Sequence, residues 1–204
     1  MTTPIPLIVP GLRDAVAEHW QTWLAERLPH ARSLRPLGRD DLSLAARIEA
    51  FDATMAALDA PVLLVAHSGG CVLVAHWARQ TTLTRKVRAA LLATPPTFDR
   101  PLPAAYPQLD ALDAAGWLPV PRQRLPFASI VAASQNDPLG DFERVCQLAR
   151  DWGSTVENLG EVGHLNPASG FGPWPHAQTL LEQLLTQTRG WQPQAEDRPI
   201  PRRS

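Results

Sequence analysis

The sequence carries almost no net charge and no basic cluster. Its 204 residues include 19 Lys and Arg and 20 Asp and Glu, for a formal net charge of −1. Proteins that bind nucleic acid or anionic membranes usually present a strongly basic surface. We therefore expect neither kind of partner. The hydrophobic content of 45% and the chain length are ordinary for one globular domain with a sizeable core.

Cysteine is scarce as well. The two cysteines, Cys71 and Cys146, both fall in predicted helices. A disulfide framework or a cysteine-bound metal needs more ligands at shorter spacing. We expect two buried thiols and no metal site.

The sequence also lacks the pattern of a secretory signal or a membrane span. Its first residues have no positive region followed by an apolar run and a cleavage site, so we expect no signal peptide and a cytoplasmic location. Residues 60–78 carry no formal charge, but Pro61, His67 and Ser68-Gly69-Gly70 interrupt this window. A strand, a turn and a helix explain it better than a membrane span does.

The most informative stretch that is present covers residues 61–71, PVLLVAHSGGC. Its apolar residues predict a strand buried on both faces, and the small residues after them predict a sharp turn into a helix. Ser68 lies at this turn, with Ala66 two residues before it and Gly70 two after. The pattern is typical of a nucleophile elbow, G-x-S-x-G, where positions i−2 and i+2 approach closely and leave little room for side chains. A serine-glycine helix cap has the same pattern, so the rest of the chain must decide.

Strands and helices alternate along the chain. Apolar runs predict strands at 5–9, 31–37, 61–65, 87–93, 127–133 and 154–159. Periodicity predicts helices at 18–28, 41–58, 69–79, 141–152 and 176–188. This order predicts an α/β fold, a parallel sheet with helices on both faces and right-handed crossovers.

One connection in this pattern is unusually long. Residues 94–126 contain eight prolines and one short helical segment at 109–115, and a connection of this length is usually a lid or a pocket wall. Residues 191–204 have no periodicity and predict a frayed tail. No repeat or second core pattern is found, so we expect a single domain over residues 1–190.

Ligands of parallel α/β sheets bind at the carboxyl ends of the strands. Ser68 follows the third predicted strand, Asp137 the fifth and His164 the sixth, in the chain order of α/β-hydrolases. In such a set His164 takes the Ser68 proton, and Asp137 holds the imidazole in the required tautomer. Each residue also has an ordinary structural explanation, since Asp137 precedes a proline in a turn and His164 follows a loop glycine.

Other residues compete for these roles. His67 adjoins the serine, but neighbours at an elbow point apart, so we expect it beside the site and not as the base. We expect the other histidines on helices or at the surface and the other acids in the proline-rich connection or a helix cap; these are His19, His30, His76, His176, Asp99, Asp110, Asp113 and Asp141.

A hydrolase of this kind needs two donors for the oxyanion that develops during the reaction. The Gly69 N–H, at the start of the helix after the serine, is one candidate. The loop after the first strand should supply the other, from Leu12. Gly11 suits this loop because the backbone must approach the substrate closely.

Several longer motifs surround these candidate residues. They are VPGLRD at 9–14 with EHWQ at 18–21, AHSGG at 66–70, SQNDP at 134–138 and GHLNPASGFGPWP at 163–175. Together they resemble the small serine hydrolase family of retinoblastoma-binding protein nine and YdeN-like proteins. The resemblance implies a compact α/β-hydrolase with a six-stranded sheet in the order 2-1-3-4-5-6. It also implies a triad of Ser68, Asp137 and His164 and esterase or small-amide hydrolase activity.

The sequence departs from this family at two points. Ala66 replaces the glycine common at the elbow, which alters the steric demand of the turn. The L-x-C-x-E motif associated with binding the retinoblastoma protein is absent, because Gly69-Gly70 precedes Cys71 and Arg144-Val145 precedes Cys146. We therefore do not extend that partner to this chain.

Our leading hypothesis is a cofactor-free serine hydrolase that cleaves small esters, thioesters or amides through an acyl-serine intermediate. We expect Gly11, His67, Phe171 and Trp174 to line the substrate pocket together with the proline-rich connection, although both aromatic residues also suit the core. A catalytically silent binding module on the same fold is the main alternative. A flavodoxin-like nucleotide binder ranks last, because no glycine-rich phosphate loop follows the first strand.

Overall fold

The structure is a computed structural model that describes residues 3–13, 16–35, 37–38 and 40–192. Among these residues, six strands form one sheet in the order β2-β1-β3-β4-β5-β6, and every pairing is parallel. The strands are β1 (Ile5–Val9), β2 (Arg32–Ser33), β3 (Val62–His67), β4 (Val87–Ala93), β5 (Ala128–Ala133) and β6 (Thr155–Asn158). The predicted fold class and strand order are confirmed. Residues 193–204 of the predicted tail lie outside the described residues.

Within the described residues there are six α-helices, of which five lie between consecutive strands and the last follows β6. They are α1 (Trp20–Ala25), α2 (Leu44–Ala56), α3 (Gly69–Ala78), α4 (Leu109–Ala114), α5 (Phe142–Trp152) and α6 (His176–Gln187). The ends have local causes: the side chains of Ser43 and Asp141 cap α2 and α5, and Gly153 ends α5 in the left-handed conformation. None of the helices described is long and apolar enough to cross a membrane.

Two predicted elements are shorter than expected. Helix α1 ends at Ala25 instead of residue 28, because the N–H groups of Arg27 and Leu28 both bond to the Leu24 carbonyl and tighten the last turn before Pro29. Strand β2 keeps two exposed residues of the seven expected, since it pairs with β1 alone at the edge of the sheet. The sequence prediction also missed two short 3₁₀ segments, at 83–86 and 167–169.

The core lies on both faces of the sheet. Strand β3 is buried along its whole length, and its side chains alternate between the two layers, with Leu64 in one and Val65 in the other. Helices α2, α3 and α5 cover the first layer, and α1 and α6 cover the second. This arrangement fixes the central strand that ends at Ser68.

The long connection 94–126 folds onto the first layer. Trp117 is fully buried there, donates its indole N–H to the Leu42 carbonyl at 2.7 Å, and accepts a hydrogen bond from His76 on its own carbonyl. Near the other end, the Trp152 indole donates to Pro121 at 2.8 Å. The connection is thereby tied to the body of the protein beside the carboxyl edge of the sheet.

Candidate active site

Ser68 lies at a strained turn between β3 and α3. Its φ of 55° and ψ of −130° belong to a region that a residue with a side chain rarely adopts, and such strain persists only where the surroundings impose it. The Ser68 N–H donates to the Ala93 carbonyl at 2.9 Å, which fixes the turn to β4. At Gly70 a Cβ atom would lie 2.4 Å from the Val9 carbonyl oxygen. The small residue at this elbow position is therefore a steric requirement, whereas Ala66 fits within the core.

The side chains of Ser68, His164 and Asp137 form one hydrogen-bonded chain. Ser68 Oγ lies 2.7 Å from His164 Nε2, and His164 Nδ1 lies 2.9 Å and 3.0 Å from the two carboxylate oxygens of Asp137. A carboxylate accepts, so Nδ1 carries the proton and Nε2 of the neutral ring accepts from the serine hydroxyl. His164 and Asp137 are both buried, and the Leu139 N–H donates to Asp137 Oδ1 at 2.8 Å.

The loops after β5 and β6 hold each other in place. Asn136 accepts a hydrogen bond from the Gly163 N–H at 2.6 Å, and Ser134 Oγ accepts one from the Val162 N–H at 3.3 Å. Ser169 Oγ accepts from the His164 N–H at 3.0 Å. These bonds fix the backbone of residues 162–164, which leads into the His164 side chain.

The two expected oxyanion donors lie next to each other. A Cβ atom built on Gly69 would lie 3.5 Å from the Leu12 backbone nitrogen, and one built on Gly11 would lie 3.1 Å from Ser68 Cβ. The loop after β1 therefore passes directly beside the serine. A side chain at Gly11 would be in tight contact with Ser68, and the Leu12 backbone nitrogen lies beside Gly69.

A cavity of about 190 Å³ opens over Ser68. One wall is apolar and comes mainly from the connection 94–126, as the sequence predicts. The opposite wall comes from the loop before α1 and from the residues after His164. The lining residues besides Ser68 and His164 are Leu12, Arg13, Val16, His19, His67, Pro96, Phe98, Leu102, Tyr106, Pro107, Leu139, Asn166, Pro167 and Ala168.

Arg13 links the two sides of the cavity mouth. Its guanidinium carbon lies 4.6 Å from the centre of the Tyr106 ring, and its Nη2 donates to the Ala105 carbonyl. A cation over an aromatic ring is attracted by the ring electrons. The loop after β1 is thereby joined to the proline-rich connection.

Two predicted pocket residues lie elsewhere. Trp174 packs edge-on against Trp20 with ring centres 4.9 Å apart, within the core layer under α1 and α6. Phe171 is partly buried against the same layer. The 3₁₀ turn at 167–169 and Gly170 in the left-handed conformation redirect the chain after His164, so both aromatic side chains reach the core and not the cavity.

His67 lies beside the site, as expected. Its Nε2 donates to the His164 carbonyl at 2.9 Å, and its ring centre lies 4.9 Å from that of His164. Burial lowers the pKa of His67 well below its ordinary value, with smaller contributions from His164 and His19. The ring is therefore neutral and supports the backbone of the loop that carries His164.

His19 is one of the site residues that the sequence interpretation missed. It caps α1, which agrees with the expected helix end, but it is buried, lines the cavity and contacts the His67 ring edge-on at 4.6 Å. The only sequence signal was its position in the EHWQ motif at 18–21 next to the loop after β1. Periodicity cannot show that a helix cap faces a cavity.

The remaining competitors lie away from Ser68. Asp99 pairs with Arg144 at 2.6 Å, and Asp141 caps α5. Cys71 and Cys146 are free buried thiols, and burial raises the pKa of both. Across the described ranges, no group of three or more His, Cys, Asp or Glu side chains could hold a metal ion.

The parallel sheet and the elbow serine at its carboxyl edge define the class of this protein as an α/β-hydrolase. The sequence profile of the family described as "Serine hydrolase" matches residues 6–183. The chain therefore belongs to the serine hydrolase family. No curated protein matches it.

Solved structures agree with this assignment. A YdeN-like hydrolase from Pectobacterium atrosepticum is 27% identical, covers 93% of this chain and 94% of its own, and superposes with a TM-score of 0.74. The ydeN gene product from B. subtilis is 21% identical over 90% of this chain and 100% of its own, with a TM-score of 0.70. Est1E from Butyrivibrio proteoclasticus, solved with ferulic acid, is 12% identical over 93% and 89%, with a TM-score of 0.64. The last two likenesses show the fold alone.

Proposed function

We propose that this serine hydrolase cleaves small carboxylic esters, and thioesters or amides of similar size, through an acyl-serine intermediate without a cofactor. Ser68 is the nucleophile, His164 the general base and acid, and Asp137 the residue that orients the imidazole. The observation that carries this proposal is the hydrogen-bonded chain from Ser68 Oγ through His164 to the Asp137 carboxylate.

The steps of the reaction follow from where the protons lie in this series of three hydrogen-bonded side chains. Ser68 Oγ attacks the substrate carbonyl carbon while its proton passes to His164 Nε2, and the imidazolium is stabilised by Asp137. The backbone N–H groups of Leu12 and Gly69 stabilise the oxyanion. The C–O bond to the leaving group then breaks, and His164 returns the proton to that group. Water attacks the acyl-serine by the same route in reverse and releases the acid.

The cavity limits the substrate class. A volume of about 190 Å³ with a largely apolar wall suits a short acyl chain without charge, because apolar surface buried in such a pocket favours binding. We therefore propose a carboxylesterase-like activity on small acyl groups. Its partner is a small molecule, with no nucleic acid or membrane involved.

A fluorophosphonate probe tests the nucleophile directly, because it reacts with an activated serine hydroxyl. We expect stoichiometric labelling of the wild-type protein, none of Ser68→Ala, and a single labelled peptide that contains residue 68. Equal labelling of the variant would refute the assignment.

Hydrolysis of short-chain nitrophenyl esters tests the other two roles. Asp137→Asn should reduce kcat by about 10⁴-fold, as expected when the imidazole loses its correct tautomer. His164→Ala should lose activity to a similar or greater extent. If turnover is unaffected by both substitutions, the activity belongs to a contaminant and the proposal fails.

A further inference from the structure

His19 presents a defined proton on the wall of the catalytic cavity. Its Nδ1 accepts a hydrogen bond from the Gln21 N–H at 3.2 Å, which caps helix α1. A neutral imidazole with an accepting Nδ1 carries its proton on Nε2. The second nitrogen of His19 is therefore a donor.

This donor is neutral and open to the cavity. Burial, and secondarily the nearby His164, lowers the pKa of His19 to about 4, so the ring is uncharged at neutral pH. Within the part of the chain that the structure describes, no hydrogen-bond partner is found for Nε2. The side chain is 7% exposed and lines the cavity. Nε2 is not among the buried polar atoms that lack a partner, so its N–H reaches the cavity, where an oxygen atom of a bound substrate can accept it.

The position of His19 indicates which part of the substrate it meets. Its ring contacts His67, and His67 donates to the His164 carbonyl, so His19 lies on the His164 side of the cavity. His164 must protonate the leaving group, and that group therefore occupies this side. The apolar wall formed by Phe98 and Leu102 lies in the connection 94–126 and suits the acyl chain.

We propose that the Nε2–H of His19 donates a hydrogen bond to an acceptor oxygen on the leaving group of the substrate. The inference rests on the proposed esterase function and makes it more specific. The preferred substrates are small esters whose alcohol carries an ether, hydroxyl or carbonyl oxygen near the scissile bond. His19 takes no part in proton transfer and acts as a binding and specificity residue.

Two substitutions separate this role from the helix cap. Asn places an amide oxygen where His19 Nδ1 lies and its amide nitrogen where Cδ2 lies, so His19→Asn keeps the acceptor for the Gln21 N–H and draws the cavity donor back from the Nε2 position. Gln is longer and places an amide N–H near the position of Nε2, so His19→Gln keeps a cavity donor and loses the cap. His30→Asn is the matched control, because His30 is exposed and outside the cavity.

The test compares 2-methoxyethyl butanoate with butyl butanoate. In the first ester an ether oxygen replaces one methylene group of the alcohol, so the two esters have nearly the same shape. We expect wild-type kcat/KM to favour the methoxyethyl ester by about five- to tenfold, the range of one neutral hydrogen bond. The ratio should fall to near one in His19→Asn with little change in Tm. It should be partly retained in His19→Gln with a lower Tm, and unchanged in His30→Asn.

Each of the other outcomes would contradict a stated part of the proposal. A wild-type ratio near one, or an undiminished ratio in His19→Asn, overturns the role of His19 while the esterase function stands. A preference that appears only when the ether oxygen is moved into the acyl chain overturns the leaving-group assignment. If the wild-type enzyme hydrolyses neither ester and does not react with the fluorophosphonate, the proposed function itself fails, and this inference fails with it.

Discussion

Gly163 illustrates how single residues set the geometry around His164. Its φ is +57°, and a Cβ atom there would lie 2.7 Å from Ser169 Oγ, the atom that accepts the His164 N–H. Glycine is needed both for the backbone conformation and for the space. Gly160, three residues earlier, also has a positive φ of +69°, but nothing lies within 4 Å of its Cβ position.

The pair gives a matched prediction. Gly160→Ala should cost about 1 kcal/mol of stability from backbone strain alone and leave kcat unchanged. Gly163→Ala carries the same strain and also displaces Ser169, so the imidazole of His164 shifts from Ser68. We expect kcat to fall about 10²-fold, because a misplacement of about 1 Å at a catalytic group has an effect of that size. Ester hydrolysis and thermal unfolding of both variants measure this, and equal kcat values would show that Ser169 does not position His164.

The triad candidates were accessible from sequence because of where they fall in the chain. Ser68, Asp137 and His164 each follow a predicted parallel strand, and parallel topology brings those strand ends to one edge. The pocket was harder to predict. His19 shows no periodic signal. The turn at 167–169 takes Phe171 and Trp174 away from the cavity, and it depends on one hydrogen bond, which the Asn166 side chain accepts from the Ser169 N–H.

At the scale of elements, one side chain joins the strands that carry the site. Gln21 on α1 is buried, and its amide nitrogen donates to the Val9 carbonyl at 3.2 Å and the Val65 carbonyl at 2.9 Å. Val9 ends β1 just before the oxyanion loop, and Val65 lies three residues before Ser68. Helix α1 therefore fixes the distance between the loop after β1, which carries a proposed oxyanion donor, and the turn that carries the proposed nucleophile.

Replacing this amide tests that role. Gln21→Met keeps the length of the side chain and removes both donors, which should cost about 1 to 3 kcal/mol of stability because two buried carbonyls lose a partner. We expect kcat to fall with little change in KM, since the oxyanion hole acts in the transition state. Gln183→Met on the exposed face of α6 is the control and should change neither quantity. A loss of stability in Gln21→Met with kcat unchanged would contradict the positioning role.

The elements themselves follow from sequence where burial enforces them. Strands β1, β3, β4 and β5 are mostly apolar because both faces are covered, with Arg88 and Ser129 as polar interruptions in β4 and β5. Their predicted positions agree with the structure to within one or two residues. The errors fall at the polar edge, in β2, and at the end of α1 before Pro29. At these two places the length of the element depends on single hydrogen bonds and not on a repeating pattern of apolar residues.

At the scale of the molecule, the connection 94–126 is both a packed part of the core and a wall of the cavity. Leu102 is buried and lines the cavity, whereas Leu112 on α4 is fully buried away from it. A substitution can therefore be placed in this connection either at a residue that lines the cavity or at one that does not. Comparing the two variants separates effects on substrate specificity from effects on stability.

Leu102→Ala should enlarge the cavity and shift the preferred acyl chain of ester substrates to greater length. Removing a buried leucine side chain frees room for about two to three methylene groups, each worth about 0.8 kcal/mol when buried. Leu112→Ala should destabilise the protein by about 2 to 5 kcal/mol without changing the chain-length preference. Relative kcat/KM for acetyl to octanoyl esters provides the measurement. An unchanged profile in Leu102→Ala would place the acyl chain elsewhere in the cavity.

The neighbouring rings of His19 and His67 also couple the fold to pH. Burial lowers the pKa of His19 from 6.5 to about 4 and that of His67 well below 6.5. Both imidazoles are neutral in the folded protein and charged in the unfolded chain below pH 6.5. The unfolded state then binds more protons, so stability is fully present above about pH 6.5 and is lost progressively as the pH falls towards 4.

This predicts acid destabilisation in a window above the titration of ordinary carboxylates. For His19 alone, lowering the pH from 7 to 5 should remove about 2 kcal/mol of the free energy of unfolding, at 1.36 kcal/mol for each pH unit below 6.5. Urea unfolding at pH 7, 6 and 5 measures the loss, and His19→Asn should reduce the slope by about one proton because the variant keeps the helix cap and lacks the titrating ring. His30→Asn, with its exposed side chain, should leave the slope as it is. An identical pH dependence in wild type and His19→Asn would mean that this imidazole is as easily protonated in the folded protein as in the unfolded chain.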